Sequence, residues 1–380
     1  MMFGNSIIGH LSLVEQFRRI IETERFAQAY LLCGPAGVGQ FHFALEFARA
    51  VNCRESQGEA DCRCLSCQKL LRYNHPDIRI FMPLPFEIMR LFDKKDNEVF
   101  YQQVNNLILQ RIEKPYESLE YPKMSSLSIE IVRWIKREAQ VSPVEGKKKI
   151  IILDRIEEMS LPAANAFLKI LEEPLNDVFF ILITSQLSSL IPTIISRCQI
   201  YQFRRLDLEA ERQIAAKLIK KTCSPFLLSL SRGSIERLLK LLSDEDLPQL
   251  RSTVLQGIGH FVEGDPGGIV EWGEKMQSFF SQHRTINPWQ SFCSILLFFY
   301  YDIFSALTLL DNEHFQNQDF KEELTLFSKK TELSVVIEAM IQIQRVQQAL
   351  QQNIQPGIAF YFLLSKLSMI HLRRMNDATV

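Results

Sequence analysis

The chain has 380 residues, with 43 Lys and Arg against 44 Asp and Glu, a formal charge of −1 at pH 7. With 47% hydrophobic and 23% charged residues, it has the apolar side chains to build cores and lacks the charge excess of a disordered chain. Near-neutrality also excludes a basic nucleic-acid coat, so any phosphate contact is local or comes through partners, and the length predicts two or three domains.

Residues 1–10 lack the basic start, apolar run and small-residue cleavage site of a secretory signal, which predicts a cytoplasmic protein. Residues 30–33 (YLLC) read as a buried strand that enters the turn Gly34-Pro35-Ala36-Gly37-Val38-Gly39, and residues 41–51 then follow a helical pattern. Strand, glycine-rich loop and helix make a near-complete phosphate-binding loop. In the intact motif, backbone N–H groups cradle phosphates, a Lys reaches the β and γ phosphates, and a Ser or Thr holds Mg²⁺. Here those last two positions are Gln40 and Phe41, which supply neither charge nor metal oxygen. A degraded nucleotide site follows.

Cys53, Cys62, Cys64 and Cys67 come next, spaced C-x8-C-x-C-x2-C. In a reducing compartment such a cluster reads as metal binding before disulfides. Four thiolates close a tetrahedral zinc site with no open position, so the expectation is a structural Zn²⁺ that folds residues 53–67, with residues 55–61 as the loop. Residues 80–124 read as an insertion of unassigned role. Ser128 is a plausible cap for a helix carrying Ile131, Ile135 and Ala139, and residues 143–149 form a polar connection; the run Lys147-Lys148-Lys149 reads as a solvated turn or rim.

Residues 150–153 (IIIL) form a second buried strand ending in Asp154-Arg155. In nucleotide-hydrolysing relatives of the loop, the Asp helps hold Mg²⁺ and a following Glu orients water. Arg155 cannot act as that base, and Asp154 alone fits a solvated strand end as well as a metal ligand. Ser160, Pro162 and Pro174 delimit a helix, and residues 178–183 (VFFILI) form a third strand. Continuous apolar strands alternating with helices predict an α/β domain with a parallel sheet covered on both faces. Ser196-Arg197-Cys198 follows, and an Arg at a domain edge can reach a neighbour's γ-phosphate as an arginine finger. Beyond Arg204-Arg205 the pattern is helical. Residues 291–310 have the length of a membrane span, yet Asp302 and apolar residues at helical spacing favour a buried core helix, and no membrane partner is expected.

The order Ile8-Gly9-His10, the GPAGVG loop, the cysteine cluster, His75-Pro76-Asp77, NAFLKILEEP over residues 165–174 and Ser196-Arg197-Cys198 resembles the sliding-clamp loader subunits of bacterial DNA polymerase III. The resemblance covers about the first 205 residues. It implies an AAA+ α/β domain at 1–205 with a zinc module at 53–67, a small helical lid at 206–265 and an all-α collar at 270–380. It also implies gamma/tau and delta subunits as partners, with the sliding clamp and primer-template DNA met through the assembly. Gamma/tau members use ATP, whereas delta prime members keep the layout without it. Gln40, Phe41 and Arg155 put this chain on the delta prime side, with no ATP of its own expected and Arg197 as the finger in trans. The alternative is an ATP-hydrolysing gamma/tau-like subunit or another diverged P-loop ATPase. In the ATP-using relatives a Gly-Ser-x-Arg stretch sends an Arg to the nucleotide; here Gly233-Ser234-Ile235 is followed by Glu236, and Arg237 lies one place later.

Overall fold

Apolar runs with no polar face have to be covered on both sides, and the three strands foreseen in the sequence are the middle of such a sheet. The structure is a computed structural model that describes residues 6–55, 62–93, 97–119, 121–173, 177–219, 223–282, 288–308, 315–352 and 354–377. The described chain forms two compact units, residues 1–222 with 232–237, and residues 223–231 with 238–380. Pro174 and residues 56–61 of the cysteine module lie outside the described residues.

In the first unit, α1 (Leu11–Thr23) precedes β1 (Ala29–Cys33), and α2 (Gln40–Asn52), α3 (Leu65–Leu71) and β2 (Ile78–Phe81) follow. The expected insertion holds α4 (Phe86–Asp93) and α5 (Asn97–Glu113) and is succeeded by α6 (Ile129–Ala139), β3 (Lys149–Leu153), α7 (Leu161–Glu172), β4 (Val178–Thr184), α8 (Pro192–Ile195), β5 (Gln199–Gln202) and α9 (Leu208–Ile219). The five strands are parallel in the order β2-β3-β4-β1-β5. Pairing sets Cys33 beside Thr184 and Leu153 beside Leu182, so the glycine-rich loop, Asp154 and Thr184 gather at one carboxyl edge, where open α/β sheets bind ligands.

The two faces of the sheet are covered differently. On one, Phe17 meets the edges of Phe43 and Phe47 at 4.8 and 4.7 Å, and Tyr30 and Tyr201 complete an aromatic cluster. On the other, Leu31, Ile151, Leu153, Phe180 and Leu182 bury against Ile131 and Ile135 of α6 and Phe167 and Ile170 of α7. Ser128 and Ser160 stand at the N-caps of α6 and α7 without making a side-chain cap bond, and Pro162 opens α7 as expected of a first-turn proline. The triple lysine is not a uniform solvated turn: Lys149 begins β3, is 2% exposed and reaches Pro76 O at 3.1 Å and Glu138 at 3.4 Å.

The second unit contains α10 (Pro225–Ser231), the greater part of α11 (Ile235–Leu242), α12 (Leu247–Glu263), α13 (Pro266–Gln282), α14 (Pro288–Thr308), α15 (Lys321–Lys329), α16 (Leu333–Gln351) and α17 (Pro356–Asp377). The two units divide the 206–265 stretch between them, α9 lying with the sheet and α10 and α12 with the helices. By length and composition α14 is apolar enough to cross a membrane, yet Phe292, Leu296, Phe299 and Ile303 lie in this unit's core. Asp302 is fully buried there and accepts hydrogen bonds from Gln316 N at 2.8 Å, Asn317 N at 2.9 Å and Asn317 Nδ2 at 2.7 Å. Burial pushes its carboxyl above the usual range, opposed by these donors. A carboxylate held this way belongs to a packed helical core rather than to lipid.

Candidate functional site

Residues 34–39 join β1 to α2, and two of the glycines are required where they stand. Gly37 has φ 74°, and a Cβ there would lie 2.5 Å from Glu236 Cβ; Gly39 has φ 105°, and its Cβ would meet Tyr116 Cε1 at 3.1 Å. Only glycine takes such angles at little cost. Gln40 opens α2 at the place of the motif's Lys. Its Nε2 donates to Gly34 O at 2.8 Å and Pro35 O at 2.9 Å, so the side chain folds back and ties the loop to itself. Phe41, at the Ser/Thr place, is 1% exposed.

Asp154 follows β3 and is not a solvated strand end: it is buried and paired with an arginine. Arg111 Nε of α5 donates to Asp154 Oδ2 at 2.9 Å, and both side chains are buried. The same guanidinium lies 3.9 Å from the Phe41 ring centroid and donates through NH1 to Lys114 O at 3.2 Å and Pro115 O at 2.8 Å. Breaking a buried pair of this kind by removing one partner costs about 3–5 kcal/mol, because the other charge stays buried. Ser118 Oγ donates to Glu236 Oε2 at 3.1 Å, and Ser234 Oγ donates to Ala36 O at 2.9 Å. The pocket that remains has a cavity of about 60 Å³, lined in part by Gly37, Gln40, Arg111, Tyr116, Asp154 and Thr184.

Arg155 takes φ 57° and turns to Glu158 at 3.0 Å, away from any base role. Glu157, two places on, lines the same pocket and accepts from Ser185 N at 3.1 Å and Ser185 Oγ at 2.7 Å. Arg111, Tyr116, Ser118 and Glu157 were not singled out from the sequence. An Arg or Glu on a helix or turn carries no mark of burial, and the partner of Arg111 is 43 positions away.

Arg197 follows α8 on the surface. Its NH2 pairs with Glu172 Oε1 at 2.5 Å and its NH1 with Thr193 O at 3.1 Å, and its side chain is 35% exposed. Glu172, at the end of α7, thus pairs with the guanidinium at the surface.

The cysteine cluster assembles at two helix ends: Cys53 is the C-cap of α2, Cys64 the N-cap of α3, and Cys67 lies in α3. With Cys62 their sulfurs all lie within 4.8 Å of one another, Cys53 Sγ at 3.5 Å from Cys62 and 3.9 Å from Cys64. Four Zn–S bonds of about 2.3 Å set tetrahedral sulfurs about 3.8 Å apart, so the donor set fits, and the cluster could hold a metal ion such as zinc. The adjacent His75-Pro76-Asp77 braces it. His75 Nε2 lies 2.9 Å from Ser66 Oγ, which donates to Asn52 O, and the Asp77 carboxylate accepts from the N–H groups of Val144, Glu145 and Gly146 at 2.6–2.7 Å. Burial alone would raise the Asp77 pKa; the donors of Gly146, Val144 and Glu145 outweigh it and hold the carboxyl below its usual range.

The family model described as DNA polymerase III, delta subunit, matches residues 9–207, just over half of the chain. The chain belongs to this family. Among curated relatives, the DNA polymerase III subunit delta' of Bacillus subtilis is 27% identical over 239 residues, 62% of this chain and 60% of that protein. Delta' of Pseudomonas aeruginosa is 32% identical over 173 residues, 45% of this chain and 42% of its own length. Subunit tau of Bacillus subtilis is 25% identical over 60% of this chain and 33% of its own length. The aligned part thus spans less than two thirds of each of these relatives. A gamma subunit-related protein of DNA polymerase III from Thermotoga maritima covers 94% of this chain and 99% of its own at 16% identity and a TM-score of 0.37. The parallel sheet with its helices and the mostly helical C-terminal region make up the architecture that the sequence predicted.

Proposed function

We propose that this chain is the delta prime-type subunit of the bacterial DNA polymerase III clamp loader, a subunit that does not itself turn over ATP. The observation that carries the reading is the placement of Gln40 and Phe41: at the phosphate position Gln40 is tied to the loop's own carbonyls, and at the magnesium position Phe41 is buried. Neither can polarise a phosphoryl oxygen or hold a cation. Arg155 in place of a water-orienting acid points the same way, and family membership supports the polymerase III setting.

In this reading the work of the chain is done at its edges. Arg197 serves as the finger for the ATP site of a neighbouring gamma/tau subunit, residues 206–265 form the lid and residues 270–380 the collar that joins gamma/tau and delta. The assembly, in the bacterial cytoplasm, opens the sliding clamp and closes it on primer-template DNA. Cys53, Cys62, Cys64 and Cys67 hold a structural Zn²⁺, which fixes the link between α2 and α3 and takes no part in turnover.

Reconstitution tests the proposal. Gamma/tau, delta, clamp and primed DNA should load clamps with this chain added, and loading should fall to background without it. Loading at an equal rate in its absence would reject the reading.

A further inference from the structure

The insertion carries a role that the motif substitutions do not require. We propose that residues 111–118 are a built-in occupant of the nucleotide pocket, with the Arg111 guanidinium supplying the positive charge that Asp154 would otherwise meet as a metal ion, and Tyr116 covering the glycine loop. The inference rests on the family reading of the pocket as a disused ATP site, and adds that the pocket is physically filled by the chain itself.

Three observations carry it. First, Arg111 is held by several groups: Asp154 takes Nε, the carbonyls of Lys114 and Pro115 take NH1, and the Phe41 ring centroid lies 3.9 Å from the guanidinium carbon. The bulky residue at the Ser/Thr place is thereby the platform for the charge that replaces the cation, so the two departures from the motif are complementary. Second, the segment after α5 closes over the loop. The Tyr116 ring is buried against Gly39, and Ser118 bonds Glu236, which itself packs on Gly37. Third, the cavity left is about 60 Å³, room for a few waters, whereas small-molecule and cofactor sites run roughly 300–1,000 Å³.

The test restores the motif with and without the plug in the full zinc-loaded chain, reading Mg·ATP binding by equilibrium dialysis. Gln40→Lys with Phe41→Thr should bind at least about tenfold more weakly than the same pair combined with Arg111→Ala and Tyr116→Ala. Equal binding by the two variants would overturn the plug while leaving the non-catalytic reading intact; binding and turnover by the unaltered chain would instead sink that reading. Should the fourfold variant fail to fold or bind, hydrogen exchange of residues 34–41 in Arg111→Met decides. Exchange faster by about tenfold, partly reversed in Arg111→Lys, supports the plug, and unchanged protection rejects it.

Discussion

Replacing Arg197 by alanine should leave this chain folded and silence an ATP site on its neighbour. The side chain is 35% exposed and its pairing with Glu172 is a surface one, which contributes no more than about 1 kcal/mol. The melting midpoint should therefore stay within a few degrees. An arginine finger contributes roughly 10³–10⁵ to turnover at the site it serves, so the ATPase of a loader reconstituted with gamma/tau and delta should lose that site's share. Arg197→Lys should restore little, because lysine lacks the planar fork that grips a γ-phosphate. Glu172→Ala should leave turnover intact, since it removes only the tether. An Arg197→Ala loader with normal ATPase would reject the finger.

Removing the metal should have the largest effect on stability. The four sulfurs converge to within 4.8 Å, and without a cation they take up protons and lose the cross-link that metal–sulfur bonds supply, so zinc binding and the local fold are coupled. The purified chain should carry one zinc. Chelation, or Cys67→Ser, should free residues 53–67 and lower the melting midpoint by roughly 5 °C or more. Because Cys53 closes α2 and Gln40 opens it, exchange protection should fall along α2 as well. A metal-free chain with an unchanged midpoint would contradict the assignment.

Much of this was legible in residues. The runs at residues 30–33, 150–153 and 178–183 are apolar because both sheet faces are covered, and the glycine loop and the cysteine spacing are local signals that survive without tertiary context. Asp154 was not legible. Whether a carboxylate after a strand meets water, a metal or an arginine depends on what folds over it, and here that is a helix from an insertion with no motif of its own. Lys149 misled for a related reason: a charge run reads as surface, yet the third lysine enters a strand and finds Glu138. Glu236 is visible in the sequence as an acid after Gly233-Ser234-Ile235, but its contacts with Ser118 and Gly37 need the folded chain.

The most direct test of a disused nucleotide site is Mg·ATP binding and phosphate release by the isolated, zinc-loaded chain. No saturable binding at millimolar ATP and no phosphate release above buffer are expected. Magnesium-dependent binding with turnover would contradict this, and would mean that Gln40, Phe41 and Arg155 do not disable the site.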